Sequence, residues 1–248
     1  HLKALNADFS TRMLANTASA LNLPSSRNNP LSNKIRQAKR FSEGIKLSAD
    51  ERYWRWCSLA NEKDAESLLK IKPEKSDYIN YKNQFLSQIK DESGINEVLR
   101  TDLQFILPYD MLTKVDLMSM ANSLEVRTPF LDHEFVNYAF KVNTELKIKD
   151  KSRKIILKNA FRKELPEDIL NRGKHGFEVP LLKWFKNELK DFIFNDLLEE
   201  SYVRKQGVFN YSAIEQIKNK LFSSSPEDSP ARIWALIVFQ NWWRKYID

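Results

Sequence analysis

The sequence is poor in the residues that build metal sites and disulfides. Its 248 residues include a single cysteine, Cys57, and only three histidines, His1, His133 and His175. A lone cysteine forms no intrachain disulfide, and no two histidines stand at the i, i+4 spacing with which a helix presents two imidazoles to one metal. These absences predict no metal site, and they favour a reducing compartment, hence a cytoplasmic protein.

Long apolar runs and glycine-rich loops are missing as well. No apolar run approaches the roughly 20 residues that a membrane-spanning helix needs, so no membrane partner is expected. The sequence has five glycines, and they match no standard glycine-rich phosphate cradle. The chain alone is therefore not expected to bind ATP well.

Positive charge is in excess, and most of the excess lies early in the sequence. The net charge is +7, and residues 1–47 contain eight lysines and arginines against Asp8 and Glu43. Such a segment could meet a polyanion, which makes a basic helical nucleic-acid or partner-binding module one hypothesis. However, the basic residues between 34 and 40 have helical spacing without interleaved aromatics, which favours a solvated helix face over nucleic acid.

Apolar residues recur mostly at helical spacing, which predicts an all-α fold. Ser48 and Ser212 each precede a glutamate by three residues, the spacing of a capping box at a helix start. Ser229 before Pro230 is a favourable start for a last helix, which we expect to dock into the core. Its apolar residues are Ile233, Trp234, Leu236, Ile237, Phe239 and Trp243.

The domain organisation follows from one connector. Residues 24–30 combine two prolines with polar turn formers and have no apolar face. We therefore divide the chain into residues 1–29, a leading helix with its connector, and residues 30–248, a helical part.

The stretch from Pro108 to His133 carries the most information. Its first part, residues 110–125, reads as a helix that is apolar nearly all round, and such a helix is expected to be buried. Asp116 has no charged neighbour within that helix, so a distant group must compensate its charge. Either a basic residue elsewhere forms a structural bridge with Asp116, or Asp116 faces a polar cleft and holds a cationic group, a metal-nucleotide or a ligand amine.

Glu125 and Arg127 lie where this helix should end. Pro129 disfavours helix at Thr128, and Asp132 can cap the helix that follows. Glu125 and Arg127 could therefore tie the corner together by charge-assisted hydrogen bonds, which is the favoured interpretation, or orient a ligand amine, carboxylate or phosphate.

A third candidate site is the segment 171–180. Gly173 and Gly176 flank Lys174 and His175 there, which is typical of a mobile basic loop. The ammonium of Lys174 could close over a phosphate and stabilise charge that develops in an adenylation step. The alternative is an exposed connector with an incidental lysine.

At these residues the sequence resembles the synthetase domain of class B, glutamine-hydrolysing asparagine synthetases. Their pattern is close to V-D-R-M-S-M-A-x-S-L-E-V-R-x-P-F-L-D-H, and residues 115–133 read V-D-L-M-S-M-A-N-S-L-E-V-R-T-P-F-L-D-H. The loop R-G-K-H-G-F at residues 172–177 resembles the family's R-x-K-x-x-F. Leu117, in place of the usual arginine, is the visible departure.

The resemblance implies a fold and a set of site residues. The chain would be the C-terminal helical portion of an asparagine-synthetase-type ATP pyrophosphatase domain, without its parallel sheet. Lys174 falls on the family's catalytic lysine, while Asp116, Glu125 and Arg127 fall on positions that line or support the cleft. The family's S-G-G-x-D-S pyrophosphate loop and its N-terminal nucleophilic cysteine are not in this sequence, and Cys57 does not match that nucleophile.

By the same resemblance, the parent enzyme would use ATP and Mg²⁺, adenylate aspartate and transfer ammonia derived from glutamine to give asparagine. The 248 residues would be a fragment, inactive alone and without a bound cofactor. The sequence does not decide the oligomeric state, and a homodimer is one of the possibilities. A synthetase-like amidotransferase or lactam-forming ligase that acts on another carboxylate is the nearest alternative.

Overall fold

The computed structural model describes residues 30–72, 74–90, 94–149, 152–173 and 179–248. These residues are mostly helical, which confirms the predicted all-α class. The extended structure is one antiparallel pair, β1 (Ile148–Lys149) with β2 (Ser152–Arg153), and an isolated bridge between Leu69 and Phe209. No parallel strand pair occurs within these ranges.

The chain divides into two compact units, a division that composition did not predict. The first unit contains the described residues 30–86 and 179–248, and the second contains residues 87–173. Residues 1–29 lie outside the described part, so the predicted boundary near residue 30 stays a prediction.

The first unit is built from helices that precede and follow the second unit in the sequence. Its α-helices before the second unit are α1 (Pro30–Ile45), α2 (Ala49–Cys57), α3 (Glu62–Leu68) and α4 (Lys75–Leu86). Those of the second unit are α5 (Ile95–Thr101), α6 (Thr113–Met120), α7 (His133–Lys141), α8 (Thr144–Lys147), α9 (Ile155–Ala160) and α10 (Glu167–Asn171). The first unit resumes with α11 (Leu181–Lys186), α12 (Lys190–Phe192), a π-helical turn (Ile193–Leu197), α13 (Glu200–Gln206), α14 (Tyr211–Phe222) and α15 (Ser229–Tyr246).

The core of the first unit forms around α15, as the last-helix prediction requires. Ile233, Leu236 and Ile237 are buried, at the i, i+3, i+4 spacing that gathers side chains on one helix face. Trp234 is half exposed, so it lies outside the docked face of the helix. The buried cluster consists of Phe185, Ile193, Phe194, Leu197, Leu198, Val203, Phe209, Ile214, Leu221, Ile233, Leu236 and Ile237.

The two predicted capping boxes lie at helix starts, but their serines do not accept the backbone hydrogen bonds expected of a capping box. Ser48 precedes α2, yet its hydroxyl donates to Asp50 rather than accepting from the helix backbone. At α14 the cap is Asn210, whose side-chain oxygen accepts from the backbone N–H of Ser212. Asn210 is itself a favourable N-cap residue and lies nearer the apolar run, so it takes the place predicted for Ser212.

The basic face of α1 is not the solvated surface that its sequence favours. Lys34 is exposed, but Arg36, Lys39 and Arg40 are partly buried against the loop before α15. Arg36 lies 3.3 Å from Asp228, and Lys39 lies 4.0 Å from Glu227. The favoured interpretation is therefore wrong for these three residues, because carboxylates distant in sequence withdraw them from solvent.

The second unit contains a continuous helical run from α5 through a π-helix (Asp102–Leu112) into α6. Pro108 lies inside the π-helix; it has no N–H to donate, and in an α-helix its ring would crowd the carbonyl four residues earlier. The carbonyl of Pro108 accepts from both the N–H and the hydroxyl of Thr113, which begins α6. The wider π-helix therefore accommodates a proline that an α-helix would not tolerate at this position.

The prediction that helix 110–125 is buried is wrong for the described chain. Leu117, Met118 and Met120 expose between 57% and 59% of their surface. A helix that is apolar all round needs packing partners on all sides, and the described residues do not supply them around α6. Further exposed apolar residues of this region are Val115, Leu124, Val126, Phe130, Phe135 and Tyr138.

Candidate functional site

The end of α6 sets the path of the residues that carry the motif. The N–H of Ser123 donates to the carbonyl of Met120, and the N–H of Leu124 donates to that of Ser119. This is the Schellman arrangement, whose next-to-last residue takes a left-handed backbone, here Ser123 with φ of 57°. Glycine usually occupies that position, so the sequence carried no signal for this turn. The turn directs Leu124 and Glu125 out of the helix.

Asp116 lies on α6 with its side chain exposed. Its carbonyl accepts from the hydroxyl of Ser119 at 3.1 Å, while its carboxylate forms no ion pair within the described residues. The expected burial of this carboxylate is therefore wrong for the described chain. Whether a distant cationic group meets it stays a prediction. Whether Asp116 faces a polar cleft remains a prediction.

Glu125 and Arg127 form an ion pair at the corner after α6. The side chain of Arg127 is 84% exposed and that of Glu125 is 68% exposed. An ion pair so exposed contributes at most about 1 kcal/mol, since water screens it and both long side chains lose freedom. The two groups are joined as the structural interpretation predicts, and they also remain accessible to a ligand.

The chain beyond this corner follows the predicted path. Thr128 before Pro129 has φ of −120° and ψ of 81°, outside the helical region, and a short 3₁₀ turn covers Pro129–Leu131. The carboxylate of Asp132 then accepts from the backbone N–H groups of Glu134 and Phe135, each at 3.0 Å, and so caps α7. The predicted helix-to-loop corner and the cap of the next helix are both confirmed.

Lys174, predicted as the catalytic residue, lies outside the described residues. Upstream of it, α10 ends at Asn171, and Arg172 has the extended backbone of a chain leaving a helix, with φ of −57° and ψ of 130°. Gly173 has open space around the position of a Cβ. The predicted helix before the loop is thus present, and the meeting of Lys174 with Asp116 remains a prediction.

Of the predicted site residues, the structure brings Glu125 and Arg127 into contact. Asp116 belongs to the same unit and lies nine residues before Glu125 in the sequence. Across the described ranges, no group of three or more histidine, cysteine, aspartate or glutamate side chains is arranged to hold a metal ion. The candidate residues that the structure describes, Asp116, Glu125 and Arg127, are thus exposed charged groups.

The asparagine synthase family model matches residues 5–244, which is nearly the whole chain. The chain belongs to the asparagine synthase family. The match spans both units and contains the 115–133 motif together with Lys174. The predicted family resemblance is thereby confirmed.

Curated relatives carry the names of glutamine-hydrolysing asparagine synthetases. Asparagine synthetase 1 of Bacillus subtilis (strain 168) is 31% identical over 195 residues, which cover 77% of this chain and 30% of the relative. Asparagine synthetase 3 of the same organism is 46% identical over 100 residues, covering 36% and 16%. The enzyme of Rattus norvegicus is 30% identical over 138 residues, covering 53% and 24%. The chain thus spans less than a third of the length of these relatives.

No solved structure shows a significant match to the chain. Among the described helices, none is both long enough and apolar enough to cross a membrane.

Proposed function

We propose that this chain is the helical C-terminal part of the synthetase domain of a glutamine-hydrolysing asparagine synthetase. The parent enzyme would adenylate the side-chain carboxylate of aspartate with ATP and transfer ammonia derived from glutamine to it, giving asparagine. The match of residues 5–244 to the asparagine synthase model carries the proposal. The names of the Bacillus and rat relatives, both glutamine-hydrolysing asparagine synthetases, support the choice of reaction.

Lys174 has the central chemical role in this proposal. Its ammonium would stabilise the negative charge that develops when the carboxylate attacks the α-phosphate, and again when ammonia attacks the adenylate. An ammonium is a compact point charge, so it can interact with phosphate oxygens in both steps without a fixed orientation.

Asp116, Glu125 and Arg127 would line or support the cleft. Their exposure supports that assignment, because a buried, fully compensated ion pair would be unable to meet a substrate. Arg127, with its planar donors, suits a carboxylate or phosphate, and Asp116 and Glu125 suit a ligand amine or a hydrated cation.

The chain by itself would be inactive in this proposal. Its five glycines form no pyrophosphate cradle, so the grip on ATP and Mg²⁺ would come from another part of the parent enzyme. The same holds for glutamine hydrolysis, because Cys57 ends helix α2 and is partly buried. The single cysteine of this chain supports a cytoplasmic location for the parent.

The decisive experiment uses the intact parent enzyme with Lys174→Ala. We expect asparagine formation to fall about 10²-fold or more, as when one charge-stabilising donor is lost, while circular dichroism stays unchanged. Lys183→Ala is the matched control, since Lys183 is exposed on α11 nearby in the sequence and should leave the rate unchanged. Full turnover by Lys174→Ala would refute the assignment.

Substrate class is tested separately. The intact parent is given ammonia and ATP with aspartate or with other carboxylates, and pyrophosphate release is measured. Release with aspartate supports the asparagine synthetase assignment. Release only with another carboxylate would instead identify a related amidotransferase or lactam-forming ligase.

A further inference from the structure

A row of exposed apolar side chains runs along α15 on the side opposite its buried residues. Trp234, Val238 and Trp242 are each about half exposed, and Tyr246 is more exposed still. Successive members are four residues apart, so their Cβ atoms lie about 5–6 Å apart along one line of the helix surface. We call these four residues the α15 stripe.

The α15 stripe is one continuous surface, anchored to the core by ring contacts. The ring of Trp242 lies 6.5 Å from that of Tyr246 and 5.8 Å from that of Phe239, between centroids. Phe239 lies 4.8 Å from Phe209, which belongs to the buried cluster. The aromatic side chains are therefore held in place before any partner arrives, which lowers the entropy cost of binding one.

The open area of the α15 stripe is that of an interaction surface. A half-exposed aromatic side chain leaves about 100 Å² open, so the four residues together leave roughly 500 Å². Single apolar side chains on a surface need no explanation, but a contiguous patch of several hundred Å² marks a place where another molecule docks.

The residue pattern of the α15 stripe is symmetric about Val238. One tryptophan lies four residues before Val238 and another lies four residues after it. In a two-fold contact, residue i meets residue j and residue j meets residue i. An antiparallel pair of α15 helices with its axis at Val238 therefore brings Trp234 beside Trp242 of the other copy, twice. Rows with a four-residue spacing also pack into one another in the commonest class of helix contact.

The charges of α15 permit such a contact and select its direction. Among the exposed positions of α15, which the structure describes in full, Lys245 is the charged residue. A two-fold axis brings like charges together if they lie near it, and such repulsion would prevent pairing. Lys245 follows Val238 by seven residues, so an antiparallel pair separates the two ammonium groups by about 20 Å, beyond the screening length. A parallel pair would place them side by side.

We propose that the α15 stripe joins two copies of this chain in an antiparallel, two-fold contact. The symmetric pattern and the uncharged centre favour a second copy over an unrelated partner. Two copies cover about 1,000 Å² in total, which is at the low end for specific association and implies a weak dimer. This contact does not depend on the proposed ligase reaction.

The test is sedimentation equilibrium of the full chain, which should show monomer and dimer in exchange. Val238→Lys places two ammonium groups at the axis, so the dissociation constant of the dimer should rise about a hundredfold or more. Leu117→Lys is the matched control, because Leu117 is a similarly exposed apolar residue on α6 in the second unit. Leu117→Lys should leave the dissociation constant unchanged.

Mixed chains test the symmetry. Val238→Glu alone should be as monomeric as Val238→Lys, whereas an equal mixture of the two should dimerise, since opposite charges then meet at the axis. Misfolded variants would not recover in this way. Trp234→Lys should pair more tightly with Trp242→Glu than with Trp234→Glu, and the reverse preference would overturn the antiparallel arrangement.

Four outcomes would overturn the proposed contact. They are an unmodified chain that stays monomeric, an assembly of more than two copies, a dimer that survives Val238→Lys, and a mixture of Val238→Lys and Val238→Glu that stays monomeric. A dimer that Leu117→Lys dissociates and Val238→Lys does not would place the contact on α6 instead.

Discussion

The two units differ in how they treat their apolar side chains. In the first unit, α15 presents one apolar face and buries it in a cluster of twelve residues. In the second, Ile89, Ile95 and Val98 are buried, whereas α6 and the residues after it expose most of theirs. The comparison teaches that an amphipathic helix specifies its own burial, while a helix apolar on all sides specifies only that it needs partners.

Tryptophan fluorescence can separate the two units experimentally. All six tryptophans belong to the first unit: Trp54, Trp56, Trp184, Trp234, Trp242 and Trp243. Fluorescence therefore follows the first unit, while far-ultraviolet circular dichroism follows the helices of both.

The largest contrast is expected for leucines in the two units. Leu221 is fully buried on α14, so Leu221→Ala should lower the free energy of unfolding by about 2–5 kcal/mol through lost contacts and a residual cavity. Leu117 is 57% exposed on α6, so Leu117→Ala should change it by less than about 0.5 kcal/mol. Urea titration followed by both signals measures the difference. Equal losses for the two variants would show that α6 is covered in solution.

Two glycines offer a second contrast. A Cβ added at Gly44 would lie 2.3 Å from Nε1 of Trp56, whose ring stacks on Phe41, whereas a Cβ at Gly173 meets nothing within 4 Å. Gly44→Ala should therefore cost about 1–3 kcal/mol from overpacking, in spite of the better helix propensity of alanine. Gly173→Ala should be close to neutral. A fluorescence transition of Gly44→Ala that matches the unmodified chain would mean that Trp56 moves aside without cost.

The smallest contrast concerns ion pairs. Lys82 is buried and contacts Glu51 at 2.5 Å and Glu62 at 2.8 Å, whereas the Glu125–Arg127 pair is exposed. Lys82→Met should cost about 1–2 kcal/mol near neutral pH, since both carboxylates stay partly hydrated, and Arg127→Met less than about 0.5 kcal/mol. Urea unfolding followed by fluorescence and circular dichroism compares the two variants.

The cost of Lys82→Met should also depend on pH. The hydrogen bond from Lys82 holds the pKa of Glu62 below its ordinary value of 4.5. A carboxyl whose pKa is lowered by folding stabilises the chain above its unfolded pKa and loses that contribution as the pH falls through the folded pKa. The difference between the unmodified chain and Lys82→Met should therefore shrink on acidification below about pH 4.5. A difference that stays constant with pH would show that Lys82 acts by packing alone.

The sequence predicted those features that local chemistry decides. The all-α class, the docking of α15 through Ile233 and Leu236, and the cap that Asp132 provides are confirmed because periodicity and capping act within a few residues. The left-handed turn at Ser123 escaped prediction, because serine is not the residue that such a turn usually selects.

Long-range partners account for the wrong predictions. Arg36 pairs with Asp228, 192 residues away, so no local pattern could reveal that basic residues of α1 form ion pairs with the loop before α15. The exposure of α6 likewise depends on what packs against it, which its own residues do not encode. For the candidate site, Asp116, Glu125 and Arg127 lie in one unit; the predicted contact between Glu125 and Arg127 is present, whereas Asp116 is exposed rather than buried.

The split arrangement of the first unit has a consequence for folding. Its first four helices precede the second unit in the chain, yet Leu68 and Leu69 pack against a core whose buried residues all come from 185–237. Closing that core brings together segments more than a hundred residues apart, and loops of this length slow folding because their closure costs entropy before the contacts form. During synthesis Leu68 and Leu69 must therefore wait for residues 185–237 before the core against which they pack exists.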